Sequence, residues 1–149
     1  MNAIRTTILI GLAAMAISPG RAEDDPAIKT DLARLDGEWS MVSGSTDGQP
    51  MPETMVAGSK RVCKGDETTV TVGGQLFMKA KFTLDPSKKP KTIDYLMTGG
   101  PTKGKKQLGI YELDGDTVKF CFAAPGSERP TDFKPGERRT SSVWKRETK

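Results

Sequence analysis

Gln75-Leu76-Phe77-Met78-Lys79-Ala80-Lys81-Phe82-Thr83-Leu84 carries the clearest alternation in the chain. Leu76, Met78, Ala80, Phe82 and Leu84 fall on one parity; Lys79, Lys81 and Thr83 fall on the other, with Phe77 the exception. Side chains along a strand point to opposite faces in turn. A period of two sustained over this length therefore reads as an antiparallel strand with one face in a core and one in water.

Working outward, the same reading yields short strands separated by turn residues. On the N-terminal side are Trp39–Ser45, an irregular stretch containing Gly48, Pro50 and Pro52, and then Lys60–Cys63 and Thr68–Val72 flanking the turn Lys64-Gly65-Asp66-Glu67. On the C-terminal side come Thr92–Met97, Gln107–Leu113, Thr117–Ala123 and Arg139–Lys145. Asp114-Gly115-Asp116 joins two of these as a tight hairpin, because Asp-Gly tolerates the positive φ such turns demand. The count predicts an all-β domain of eight antiparallel strands. Such a sheet closes into a barrel without edges, wide enough for side chains or for one small ligand. Two packed sheets are the competing architecture.

Ahead of the strands, Ile28, Leu32 and Leu35 recur at helical spacing and Gly37 stands where a helix C-cap would, which predicts one short helix over Ala27–Leu35. Residues 23–30, opening with Glu23-Asp24-Asp25-Pro26, read as a flexible acidic lead into a domain spanning 31–147. Residues 1–22 read as a secretory signal peptide: Arg5, an apolar run from Thr6 to Ile17, the breakers Ser18-Pro19-Gly20, and small residues before Glu23. That run is too short to span a bilayer, which takes about 20 apolar residues. The expectation is an exported, periplasmic or extracellular monomer with no transmembrane anchor.

The chain of 149 residues contains no histidine. That excludes Ser-His-Asp and Cys-His catalysis and histidine ligation of zinc or haem. With Arg5 and Arg21 removed from 23 basic residues, against 19 acidic ones, the mature chain has a formal charge of only +2. Nucleic acid, which requires a concentrated basic surface, is not an expected partner.

Gly37-Glu38-Trp39, after a short helix and at the start of a strand, resembles the Gly-x-Trp signature of lipocalins, in which a basic side chain from the last strand covers the tryptophan. Lys145 and Arg146 stand at that place here. The segments Asp31–Trp39, Leu84–Asp94, Gly109–Asp116 and Arg129–Phe133 resemble, over residues 31–147, a lipocalin-like family of uncharacterised exported proteins abundant in planctomycetes and verrucomicrobia. The resemblance implies a barrel and export, and no activity.

Several residues are candidates for sites. Leu76, Met78, Phe82, Ile110, Val118, Phe120 and Phe122 are expected to face the barrel interior, either filling it or lining a small apolar pocket. Gly37, Trp39, Arg129, Phe133, Lys145 and Arg146 are expected to close a barrel end, with Phe133 as a plug and Arg129 paired to an acid. Cys63 and Cys121 could form a disulfide in an oxidising compartment, although Cys121 has the parity opposite to Phe120 and Phe122. Lys88, Lys89, Lys91, Lys103, Lys105 and Lys106 lie on two loops that would share one barrel end. No spacing singles out a carboxylate pair, and Asp114-Gly115-Asp116 lacks the ligand spacing of a calcium loop, so no catalysis, cofactor or metal is expected. The function read from the chain is a binding module for a small apolar ligand. The alternative is a protein-interaction or inhibitor module of the cell envelope that works through its barrel-end loops.

Overall fold

The computed structural model describes residues 25–148. The signal peptide expected at 1–22 lies outside the described residues, as do Glu23 and Asp24. Helix α1 (Pro26–Leu35) starts where Asp25 caps it, accepting from the Ala27 amide at 2.8 Å, with Pro26 at the first helical position. The helix expected over Ala27–Leu35 is thus present, and residues 26–30, also placed in a flexible lead, are its opening.

The strands are β1 (Gly37–Thr46), the two-residue β2 (Gln49–Pro50), β3 (Ser59–Lys64), β4 (Glu67–Val72), β5 (Gln75–Asp85), β6 (Lys91–Gly99), β7 (Lys106–Asp114), β8 (Thr117–Ala123) and β9 (Arg139–Arg146). Each long strand pairs antiparallel with the next, and β1 also pairs with β9 from Trp39↔Arg146 to Thr46↔Thr140. The result is the expected closed eight-stranded barrel, preceded by the short helix. A second helix, α2 (Glu53–Gly58), occupies the stretch read as irregular; six residues are too few to display a helical period.

This up-and-down order puts α1 and the β3–β4, β5–β6 and β7–β8 turns at one end. The β1–β3, β4–β5, β6–β7 and β8–β9 connections lie at the other, termed here the open end. Lys88, Lys89 and Lys91 therefore sit at the end opposite Lys103, Lys105 and Lys106, contrary to the expectation that they share one.

The α1 end is sealed by side chains. Trp39 is fully buried, donates from Nε1 to the Leu35 carbonyl at 2.9 Å, and lies 4.3 Å beneath the Arg146 guanidinium. Arg146 also donates to the Asp36 and Arg34 carbonyls, which ties the last strand to the helix end. Gly37 has φ +129°, and a Cβ there would meet Arg146 Nη1 at 2.9 Å, so glycine serves both the backbone and the arginine. Lys145, the other basic residue expected over Trp39, is exposed and has the opposite parity. Beside this seal, buried Asp31 accepts from Tyr111 Oη at 2.7 Å and from Lys91 Nζ at 2.9 Å, with Arg34 3.8 Å from its other oxygen.

Removing the carboxylate in Asp31→Ala orphans the buried Tyr111 hydroxyl, while the half-exposed Lys91 and Arg34 regain water. The expected loss is about 2 kcal/mol of unfolding free energy, read by urea denaturation, with the fold retained.

Candidate functional site

Barrel closure leaves unfilled volume toward the open end. A cavity of about 280 Å³ is lined there by Met41, Met51, Met55, Met78 and Met97, by Phe77, Tyr95, Phe122 and Trp144, and by Arg61. These five are all the methionines among the described residues. Met41, Met78 and Met97 come from barrel strands, whereas Met51 and Met55 come from the β2–α2 segment packed across the opening. Gly44 makes room for that segment: a Cβ there would meet Met51 Sδ at 2.7 Å and Met41 Sδ at 3.1 Å.

Arg61 is the one fully charged side chain in this lining and is 5% exposed. Its Nη1 donates to Thr68 Oγ1 at 2.9 Å and to Tyr95 Oη at 2.8 Å. The guanidinium lies 4.6 Å from the Phe120 ring centre and 4.5 Å from that of Trp144. Its Nε is buried without a partner. Tyr95 stacks on Phe122 at 4.0 Å between ring centres, and burial pushes its hydroxyl above the usual phenol range despite the neighbouring Arg61 charge.

Of the residues expected inside, Met78 and Phe122 line this cavity. Phe82, Val118 and Phe120 belong to the packed core, Phe82 tilted against Tyr95 and Val118 paired with Trp144. Leu76 is a correction. The β4–β5 register steps from Val70↔Met78 to Thr71↔Leu76, so Phe77 is an extra residue and the parity reverses beyond it. Leu76 is consequently 55% exposed, and Phe77, the exception in the alternation, reaches the cavity. Ile110 is a second correction. It pairs with Cys121 on the outer face, while its neighbour Tyr111 pairs with Phe120 and faces in.

The segment between β8 and β9 accounts for the burial of Ile110. It runs over the outer wall instead of closing an end. Arg129 donates to the Gly109 carbonyl at 2.8 Å and stands 2.7 Å from Asp94 Oδ1, so the expected pairing with an acid is present. Phe133 lies on the outer wall, between a groove shared with Lys119, Ser141 and Val143 and the Lys88–Lys91 loop beside Glu112, so it flanks the α1 end instead of plugging it. Beneath this strap Ile110, Cys121 and Ala123 are buried on the outside of the sheet. Cys63 faces the interior, 3.4 Å from Thr68 Oγ1, and Cys121 faces the strap, 3.4 Å from Ser141 Oγ. The sheet separates the two thiols. Both are free, and the possible disulfide is not formed.

Sequence reasoning missed Arg61 because Val62 misdirects it. An aliphatic residue next to an arginine reads as the inward one, yet Val62 is 46% exposed. The parity of Cys63 with Arg61, and of Thr68 with Val70, is the signal that could have placed Arg61 inside. Among the described residues no helix is long and apolar enough to cross a membrane. The chain matches no family model, and no curated protein or solved structure is found to be similar to it.

Both tyrosines are held above their ordinary value of 10, Tyr95 by burial and Tyr111 by burial and by its hydrogen bond to Asp31. A folded-state pKa raised above the unfolded one contributes stability that is fully present below pH 10 and is lost as pH climbs past it. Absorbance titration of the folded protein should therefore detect no phenolate near pH 10, with both groups ionising only as circular dichroism reports unfolding; a midpoint near 10 in a folded protein would contradict this packing.

Proposed function

We propose that this chain is an exported, lipocalin-like binding module that holds a small apolar ligand in the open-end cavity and performs no catalysis. The observation that carries the reading is the convergence of Met41, Met51, Met55, Met78 and Met97 on one space. Methionine is unbranched and polarisable, and it re-packs around differently shaped guests at low cost. A core meant only to be filled would place branched residues in defined rotamers there. The α1 end of the barrel is built that way, with Leu35, Ile93 and Val118 buried around Trp39.

The size of the guest follows from the volume. Benzene occupies a cavity of about 150 Å³, or roughly 25 Å³ per carbon, so about 280 Å³ suits on the order of ten non-hydrogen atoms. Met51, Met55 and α2 offer the way in, because they come from a connection instead of the closed sheet. Export rests on the layout of residues 1–22. The alternative reading, a protein-interaction module, draws on exposed Leu76 and Phe77 beside the opening. Two side chains at a cavity mouth are also what an apolar ligand would cross on entry.

Isothermal titration calorimetry with 1-octanol tests the reading. The wild-type protein should bind one molecule saturably. Met78→Trp, which fills the space, should weaken binding by about tenfold or more while keeping cooperative thermal unfolding. Equal binding by both proteins would remove the carrier reading.

A further inference from the structure

Resting on that reading, we infer that the ligand is an anionic amphiphile, a monocarboxylate with a short apolar tail, and that Arg61 receives its head group. The guanidinium cannot shed its proton, so the positive charge persists inside the barrel. Burying a charge without a counter-ion is costly, and among the described residues no carboxylate lies within ion-pair distance of Arg61. Phe120 and Trp144 attract the cation through their ring faces, and Thr68 and Tyr95 accept two hydrogen bonds. These contacts hold the group in place. They do not neutralise it.

What is left over has a direction. Both hydrogen bonds leave from Nη1, whereas the buried Nε has no partner. The donors without a protein partner are therefore Nε, which protein atoms cover, and Nη2, through which a carboxylate in the cavity would meet the guanidinium. Tyr95 adds a donor. Its oxygen accepts from Arg61, so its own proton is free to point elsewhere, and burial keeps it in the protonated form. The remaining polar groups of the lining, Ser59, Thr102, Gln107, Thr140 and Ser142, are uncharged. Ser59 donates to the Met55 carbonyl at 2.6 Å, Gln107 donates to the Ala123 carbonyl at 3.2 Å, and Ser142 accepts from Trp144 at 2.9 Å. No Asp or Glu lines the cavity. A fixed cation beside the Tyr95 hydroxyl proton, in a lining that is mostly apolar and carries no acid, is complementary to a carboxylate on a hydrocarbon tail, and the methionines at the opening would hold the tail.

The test compares octanoate, 1-octanol and octylamine by calorimetry on the wild-type protein and on Arg61→Gln. Octanoate should bind about tenfold or more tightly than octanol, and octylamine should be rejected. In Arg61→Gln the octanoate preference should vanish while octanol binding persists, which also reports that the cavity has survived. Should that variant not fold, the wild-type ratio decides by itself. Octanol bound as well as octanoate would overturn the anion assignment and leave the cavity reading standing. If none of the three binds, both readings fall.

Discussion

The antiparallel pairing of β1 with β9 is the constraint from which the remaining architecture follows. It turns a nine-strand meander with two free edges into a tube in which every strand residue faces either in or out. The register of this pairing also sets Arg146 opposite Trp39, so the closure and the seal of the α1 end are one feature. Helix α1 is then pinned through Trp39 and through Asp31 to strands on different sides of the barrel. With that end packed, whatever volume the tube does not fill must lie at the other end, where α2 covers it.

Much of this was legible in the sequence, because a period of two reports directly on which face a residue takes. The β5 alternation, the Asp-Gly hairpin and the Gly37–Trp39 segment place the eight strands and the sealed end correctly. The alternation failed where the backbone departs from regular pairing. At the Val70/Thr71 register step one extra residue inverts Leu76 and Phe77, and nothing in their chemistry announces a bulge. Ile110 misled for a different reason. An aliphatic residue reads as interior, but the β8–β9 strap makes a second, external apolar layer on the same sheet, and only the fold reveals what that strap covers. Cys63 and Cys121 fall on opposite sides of the wall for the parity reason that already counted against their pairing.

The site was less legible than the fold. Its methionines come from four separated places in the chain, and two of them share a connection too short to show a period. Its charged member, Arg61, sits where an alternation rule would put a solvent-facing residue. The two rings that flank it, Phe120 and Trp144, come from β8 and β9, distant in sequence from β3. Apart from Thr68 on the adjoining strand of the same hairpin, the buried cation therefore depends on the assembled barrel for the contacts that make its burial tolerable. That dependence marks a position at which the chain gives up local preference for a property of the interior.

If the reading of the cavity is right, the five methionines surround one ligand-accessible space. NMR of the protein carrying ¹³C-labelled methionine methyl groups, with octanoate as the added ligand, reads each of them separately. The Met41, Met51, Met55, Met78 and Met97 signals should move together and saturate at one common concentration. Signals that stay fixed, or that move separately and without saturation, would mean that the methionines do not enclose a common binding space.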